Sequence, residues 1–176
     1  MTNMARQQVL IAGGGIGGLA AAVACTQHGV PVQLLERAAQ LSEVGAGIQI
    51  GSNVTRILQA WGLGEALAQV AAFPKQLQAR DAQTGQVLGT LPLGERAQAL
   101  YGAPYATIHR ADLQGLLHRS AQSAGVDIRL GQTVQGWRDT ADGLEVSTAE
   151  GASVQAGALI GALIGADGVW SEVRQQ

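Results

Sequence analysis

The chain has 176 residues, enough for one ordinary domain. Its 11 basic and 13 acidic side chains leave a net charge of −2, which excludes a nucleic-acid backbone as the main partner. Hydrophobic residues make up 47% and charged residues 14%, which excludes disorder, and the 25 glycines follow no Gly-X-Y period, which excludes collagen.

In chain order, Gln8 to Ala12 (QVLIA) is a short apolar run that stops at glycines and reads as a buried strand. Residues 16–28 have helical spacing at Leu19, Ala20, Val23 and Ala24, and Gly29 follows as a suitable stop. Val32 to Glu36 (VQLLE) reads as a second strand. Strand, glycine turn, helix and strand make a βαβ unit with parallel strands and a right-handed crossover. The apolar run 9–25, preceded by Arg6, has the outline of a signal peptide. Its central glycines break that reading, and it is shorter than the ~20 residues of a membrane span. With the single Cys25 unable to form an internal disulfide, a cytoplasmic protein without membrane partners is expected.

Residues 45–51 (GAGIQIG) read as a glycine-rich loop, followed by a helix over 53–61 that buries Val54, Ile57, Leu58 and Trp61. Residues 77–82 and 87–91 flank Gln83-Thr84-Gly85 and read as a hairpin. Residues 111–124 are helical, with Leu113, Leu116 and Leu117 on one face and Gly125 closing it. Strands are expected over 127–130, 133–138 and 144–148, with a turn at Asp142-Gly143. The last apolar run, 158–166, contains Gly-Ala-Leu-Ile twice in tandem and ends at Asp167-Gly168. Four extra residues in a strand preserve which face each later side chain occupies. The excess length is therefore expected on the N-terminal side, as an extended strand or a bulge around 156–161. Residues 164–166 should then pair in the parallel sheet, with Asp167 directed at the first glycine turn.

The strongest chemical signal is Gly13-x-Gly15-x-x-Gly18 between a strand and a helix. Gly13 permits the tight turn, Gly15 lets the backbone approach a pyrophosphate, and Gly18 lets helix and strand pack closely. Ile16 and Gly17 begin the helix, whose free N–H groups and dipole favour a diphosphate. Glu36 ends the second strand, where a carboxylate accepts hydrogen bonds from a ribose diol. These residues point to an adenine dinucleotide, FAD or NAD.

Three further segments carry a family resemblance. Glu36-Arg37 followed by Gly45-Ala46-Gly47-Ile48-Gln49, then Ile108-His109-Arg110-Ala111-Asp112-Leu113, then Ile164-Gly165-Ala166-Asp167-Gly168-Val169-Trp170-Ser171-Glu172-Val173-Arg174 resemble the FAD-dependent aromatic hydroxylases in order and spacing. The phrasing from Tyr101 to Leu113 is most similar to the salicylate and 3-hydroxybenzoate hydroxylases. The resemblance implies an α/β fold, a GxGxxG-type FAD/NAD(P)-binding domain with a parallel sheet and an antiparallel β insertion around 75–105, the whole of 1–176 being the FAD-binding part of a longer enzyme. It implies FAD as cofactor, NADH or NADPH as reductant, O2 and a small aromatic acid as substrates, and a homodimer, since relatives are often dimers. It assigns Arg37, Gly47, Ile48, Gln49, Arg110, Val134, Asp167 and Gly168 to the cofactor, beside Gly13, Gly15, Ile16, Gly17, Gly18 and Glu36.

Each position also has a physical reading. Arg110 opens a helix, and its guanidinium can pair with a diphosphate or hydrogen-bond a flavin side chain. Gly45 and Gly47 allow backbone to approach a flat ring. His109 reads as structural, Cys25 as packing, and His28 and His118 lack partners at metal-ligand spacing, so no metal site is expected. No residue reads as an acid or base for the aromatic ring, and the resemblance places the catalytic residues beyond Gln176. Two rivals stay open: a nicotinamide-dependent dehydrogenase with the same fingerprint, and an inactive FAD-binding fragment.

Overall fold

The computed structural model describes residues 8–41, 45–141, 143–151, 153–154 and 160–175. Asp142 and residues 155–159, on which the hairpin-turn and part of the tandem-repeat expectations fall, lie outside the described residues. Contacts divide the chain into two units, one of residues 1–42 with 117–176 and the other of residues 43–116.

The first unit opens with β1 (Gln8–Ala12), α1 (Ile16–Gln27) and β2 (Val32–Glu36), the expected βαβ unit. β1 and β2 pair in parallel, Leu10 against Gln33 and Ala12 against Leu35. The strand β2 carries no exposed residue and is apolar apart from Gln33 and Glu36, as a strand covered on both faces must be.

The second unit carries β3 (Gly47–Ile50), α2 (Ser52–Ala60), α3 (Gly64–Val70), β4 (Ala71–Ala72), β5 (Gln76–Arg80), β6 (Val87–Pro92), α4 (Gly94–Tyr101) and β7 (Ala106–His109). Its sheets are antiparallel: β3-β7-β4 and the hairpin β5-β6. The hairpin β5-β6 matches the hairpin expected over 77–82 and 87–91 to within a residue or two. Its Leu77 and Leu91 stand opposite each other and are 46% and 59% exposed.

Three expectations are corrected here. The glycine-rich segment 45–51 is not all loop, because Gly47–Ile50 is a strand. Its order comes from Ala106–His109, to which it pairs from Gly47↔His109 through Ile50↔Ala106. That partner lies outside any local window. In α2, Leu58 is buried but Ile57 is 47% exposed, and the inward position belongs to Thr55, which is fully buried. The hydroxyl of Thr55 donates to the Pro104 carbonyl at 2.6 Å, so a polar residue takes the inward face by satisfying a backbone acceptor. The helices α3 and α4 were not expected at all; they are short, and α4 ends at Gly102, in the left-handed region at φ 74°.

The helix α5 (Arg110–Ser123) spans the division between the units and buries Leu113, Leu116, Leu117 and Ala121. The first unit then continues with β8 (Asp127–Leu130), β9 (Val134–Thr140), β10 (Gly143–Thr148), β11 (Ser153–Val154), β12 (Ile160–Gly165) and α6 (Glu172–Gln175). The parallel sheet has the order β12-β1-β2-β8, and β11-β10-β9 form an antiparallel sheet. Leu10, Ala12, Leu35, Val134 and Val146 make one core cluster, against which Trp137, Leu144, Leu163 and Val173 pack. Late strand β12 lies beside β1, with Ile164 opposite Ile11 and Gly165 opposite Ala12, and the Ala166 N–H donates to the Ala12 carbonyl at 2.7 Å. Residues 164–166 therefore join the parallel sheet as the spacing predicts.

Candidate functional site

The glycine turn joins the C-terminal end of β1 to the N-terminus of α1, and each glycine has its own physical reason. Gly13 has φ 108°, a conformation side chains disfavour, and a Cβ there would overlap the Ala166 carbonyl. A Cβ at Gly18 would overlap the Gly13 carbonyl oxygen. Gly14 is buried, and a Cβ on it would stand 2.9 Å from Leu41 Cδ2 and 3.1 Å from Glu36 Cβ. These three positions are fixed by the protein's own packing.

Gly15 and Gly17 differ. A Cβ at either would meet no protein atom within 4 Å, and the Gly15 backbone, at φ −70° and ψ 180°, suits any residue. Protein packing gives no reason for glycine at these two positions. Open space beside backbone at a helix N-terminus is what a diphosphate needs in order to lie close to the main chain. No side chain caps the start of α1, and no acidic residue stands in its first turn.

Glu36 lies at the C-terminal end of β2. Its Oε2 accepts from the Gly14 N–H at 2.6 Å and its Oε1 from the Ala38 N–H at 2.8 Å. An ionised carboxylate has about four acceptor sites, and these backbone bonds occupy two of them. Arg37 is exposed.

Asp167 follows β12. Its backbone N lies close to Gly13, where a Cβ on Gly13 would come within 2.9 Å of it. The carboxylate turns to the start of α6: Oδ1 accepts from the Ser171 hydroxyl at 2.6 Å, and Oδ2 from the N–H groups of Glu172 at 2.8 Å and Val173 at 3.2 Å. The Ser171 Oγ in turn accepts from the Arg174 N–H at 3.1 Å. Partial burial raises the Asp167 pKa, but these hydrogen bonds outweigh it and hold the carboxyl below its ordinary range. Gly168 has φ 90° and is exposed. The side chain of Val134 is buried in the core cluster, which leaves only its main chain to meet a ligand.

In the second unit, Gly47, Ile48 and Gln49 lie on β3, and β7 leads directly into Arg110 at the start of α5. The Arg110 N–H donates to the Ala46 carbonyl at 3.4 Å. A Cβ on Gly45 would stand 3.1 Å from Arg110 Cδ, so glycine at 45 makes room for the arginine stem. At Gly47 the nearest atom to a Cβ is the Ile108 carbonyl oxygen at 3.9 Å, an ordinary contact. His109 is exposed, and its Nδ1 accepts from the Ala111 N–H at 3.3 Å, a local structural role.

The structure thus gathers two sets. Gly13 to Gly18, Glu36 and the Asp167 backbone share the first unit, and Gly47, Ile48, Gln49 and Arg110 share the second. Sequence reasoning missed three participants: the Gly14 N–H as the partner of Glu36, the Ala166 carbonyl as the wall that fixes Gly13, and Ser171. Only Ser171 had a local signal, a serine three residues before the Arg174 amide that it caps.

Comparison with known proteins identifies what the chain is similar to. The 3-hydroxybenzoate 6-hydroxylase 1 of Aquipseudomonas alcaligenes is 39% identical over 169 residues, covering 96% of this chain and 42% of that enzyme. The 3-hydroxybenzoate 6-hydroxylase of Polaromonas naphthalenivorans is 40% identical over 174 residues, 99% of this chain and 43% of the relative. The chain therefore spans less than half the length of the curated relatives it matches. Among solved structures, Klebsiella pneumoniae HpxO complexed with FAD and uric acid superposes with a TM-score of 0.80 at 26% identity, over 97% of this chain and 41% of that one. The profile of the FAD binding domain family matches residues 6–176. With residues 6–176 matched, nearly its whole length, this chain belongs to the FAD binding domain family.

Proposed function

We propose that the protein is an FAD-dependent aromatic monooxygenase that hydroxylates a small aromatic acid of the hydroxybenzoate type, using NADH or NADPH and O2. The observation that carries the reading is the pair Gly15 and Gly17, whose missing side chains face open space at the start of α1. In this reading the backbone at Gly15 and Gly17 would hold the FAD diphosphate, Glu36 would hold the adenosine ribose, and the main chain at Val134 and Asp167-Gly168 would border the site. Arg37, Gly47, Ile48, Gln49 and Arg110 complete the cofactor set. The 3-hydroxybenzoate 6-hydroxylases at 39% and 40% identity support the substrate class.

Bound here, FAD would supply the hydride-accepting and oxygen-activating redox chemistry. The chain's own residues bind and orient it. The α1 N-terminus offers N–H donors and a dipole to the diphosphate, and Glu36 holds the ribose while bracing the turn from below. Asp167 keeps α6 in place, and with it the backbone that meets Gly13. The setting implied is a cytoplasmic enzyme of aromatic catabolism, homodimeric, with residues 1–176 as its FAD-binding domain.

The test is the visible spectrum of the purified protein, followed by NADH- or NADPH-dependent oxygen uptake with 3-hydroxybenzoate. A flavin spectrum with substrate-stimulated uptake and a dihydroxylated product supports the reading. Nicotinamide binding without flavin would make it a dehydrogenase, and flavin without any substrate-stimulated uptake would leave it a binding protein.

A further inference from the structure

Within the second unit, the start of α2, the end of β6 and the helix α4 surround a cavity of about 380 Å³. Arg56 of α2, Leu91 of β6, Arg96, Leu100 and Tyr101 of α4, and Tyr105 line it. Arg96 and Leu100 stand four residues apart on α4 and so share one helix face. Among the described residues, neither Arg56 nor Arg96 has a hydrogen bond or an ion pair. No acidic side chain of the described residues lines the cavity. Glu95, beside Arg96 in sequence, lines a separate depression with Phe73 and Gln98.

We propose that this cavity is a binding site for a small aromatic carboxylate, with Arg56 and Arg96 clamping the carboxylate and Leu91, Leu100 and the two tyrosines holding the ring. Two guanidiniums that face one cavity without a protein counter-ion repel each other, and a bound anion removes that cost. A cleft lined by one sign of charge also concentrates ligands of the opposite sign. The planar guanidinium fork matches the two oxygens of a carboxylate, and its hydrogen bonds to them are charge-assisted.

The rest of the lining selects the body of the ligand. Leucine and tyrosine carbon leaves a bare inorganic anion with unfavourable apolar neighbours, whereas an aromatic ring packs against the tyrosines edge-to-face or offset. The volume lies at the lower end of the ~300–1,000 Å³ usual for small-molecule sites, which suits a single ring. Every lining residue falls between Gly51 and Tyr105, and none belongs to the set assigned to the cofactor. The site is therefore a second one, filled whether or not flavin is bound. The choice of a hydroxybenzoate as its probe, though not the site, rests on the function proposed above.

Calorimetric titration of the intact protein, with and without added FAD, tests this. 3-Hydroxybenzoate should bind saturably in both cases, and 3-hydroxybenzyl alcohol and inorganic phosphate should each bind about tenfold more weakly or not at all, one lacking the charge and the other the ring. Arg56→Gln and Arg96→Gln should each raise the dissociation constant about tenfold, as loss of a charged hydrogen-bond partner does. Arg96→Lys, which keeps the charge without the fork, should fall between parent and Arg96→Gln. Leu100→Glu, at an exposed position, puts a carboxylate into the cavity and should abolish binding. All four changes are on exposed side chains, so the variants should fold and keep the parent's visible spectrum. Acid binding that is indifferent to both arginines, that appears only after FAD is added, or that the alcohol or phosphate matches overturns the proposal. A colourless protein that still binds the acid through Arg56 and Arg96 would sink the flavin reading and leave this site standing, so the two failures are told apart.

Discussion

Gly14 and Glu36, 22 residues apart in sequence, are joined by a 2.6 Å hydrogen bond from the backbone N–H of one to Oε2 of the other. The bond ties the end of β2 to the glycine turn, so Glu36 shapes the turn as well as presenting acceptors to a ligand.

Replacement of Glu36 should accordingly have two effects. Glu36→Ala should weaken FAD binding by about 1–3 kcal/mol and also lower the stability of the flavin-free protein by about 1 kcal/mol, since the Gly14 N–H loses its charged partner. Glu36→Gln keeps an acceptor oxygen and should fall between. Flavin titration of the apoprotein and denaturant unfolding measure the two separately. Parent-like affinity in the alanine variant would refute the ribose assignment.

The glycines should separate into two classes. A Cβ at Gly15 meets no protein atom within 4 Å, so Gly15→Val should fold with little loss of stability and lose its flavin. Gly18→Ala must push against the Gly13 carbonyl, and should lower stability by about 1–3 kcal/mol as an overpacked site does. Thermal melting with and without added FAD distinguishes them. A yellow, fully loaded Gly15→Val protein would sink the diphosphate cradle.

Asp167 gives a pH prediction. Its carboxyl is held below the ordinary value of 3.8 in the fold, so the folded state prefers the charged form. The stabilisation is complete at neutral pH and is lost as the pH falls below that ordinary value and through the lower folded one. Asp167→Ala should cost about 1–2 kcal/mol at pH 7, the size of a lost helix cap. The gap between parent and variant melting temperatures should narrow progressively as the pH falls below 4. A gap of constant size across that range would show that the charge plays no part.

Thr55 is a test of the second unit. Thr55→Val keeps the shape of the side chain and removes the hydroxyl that donates to the Pro104 carbonyl. The variant should lose about 1–3 kcal/mol by leaving that acceptor unpaired. Ile57→Ala, at a half-exposed position, should cost less, and the reverse order in urea unfolding would contradict the observed helix face.

Much of this was legible in the sequence because it is local. Strand β1, the glycine turn, α1 and β2 follow one another within 29 residues, each with its own periodicity and stop signal. The β5-β6 hairpin has its turn between its strands. Strand β3 was hidden because its order comes from β7, and its glycines read as a loop when taken alone. The inward face of α2 was misread because apolar spacing favours Ile57, whereas Thr55 is held inward by one hydrogen bond to a carbonyl 49 residues away. The Gly13-x-Gly15-x-x-Gly18 spacing marked the candidate site, but it could not show that Gly13 and Gly18 answer to the protein's own packing while Gly15 faces open space.

The contact between Gly13 and Ala166 has a bearing on biosynthesis. The turn is encoded at the start of the chain, but the carbonyl that walls it is translated 153 residues later. At ~5–20 residues per second the ribosome takes roughly 8–30 s to cover that interval. During it, β1 has β2 beside it but no β12, and one edge of the first strand is open to whatever nascent chain or chaperone is nearby. The glycine turn is thus made early but gains its Ala166 wall only after residue 166 has left the exit tunnel, so any contact that needs that wall forms after this point.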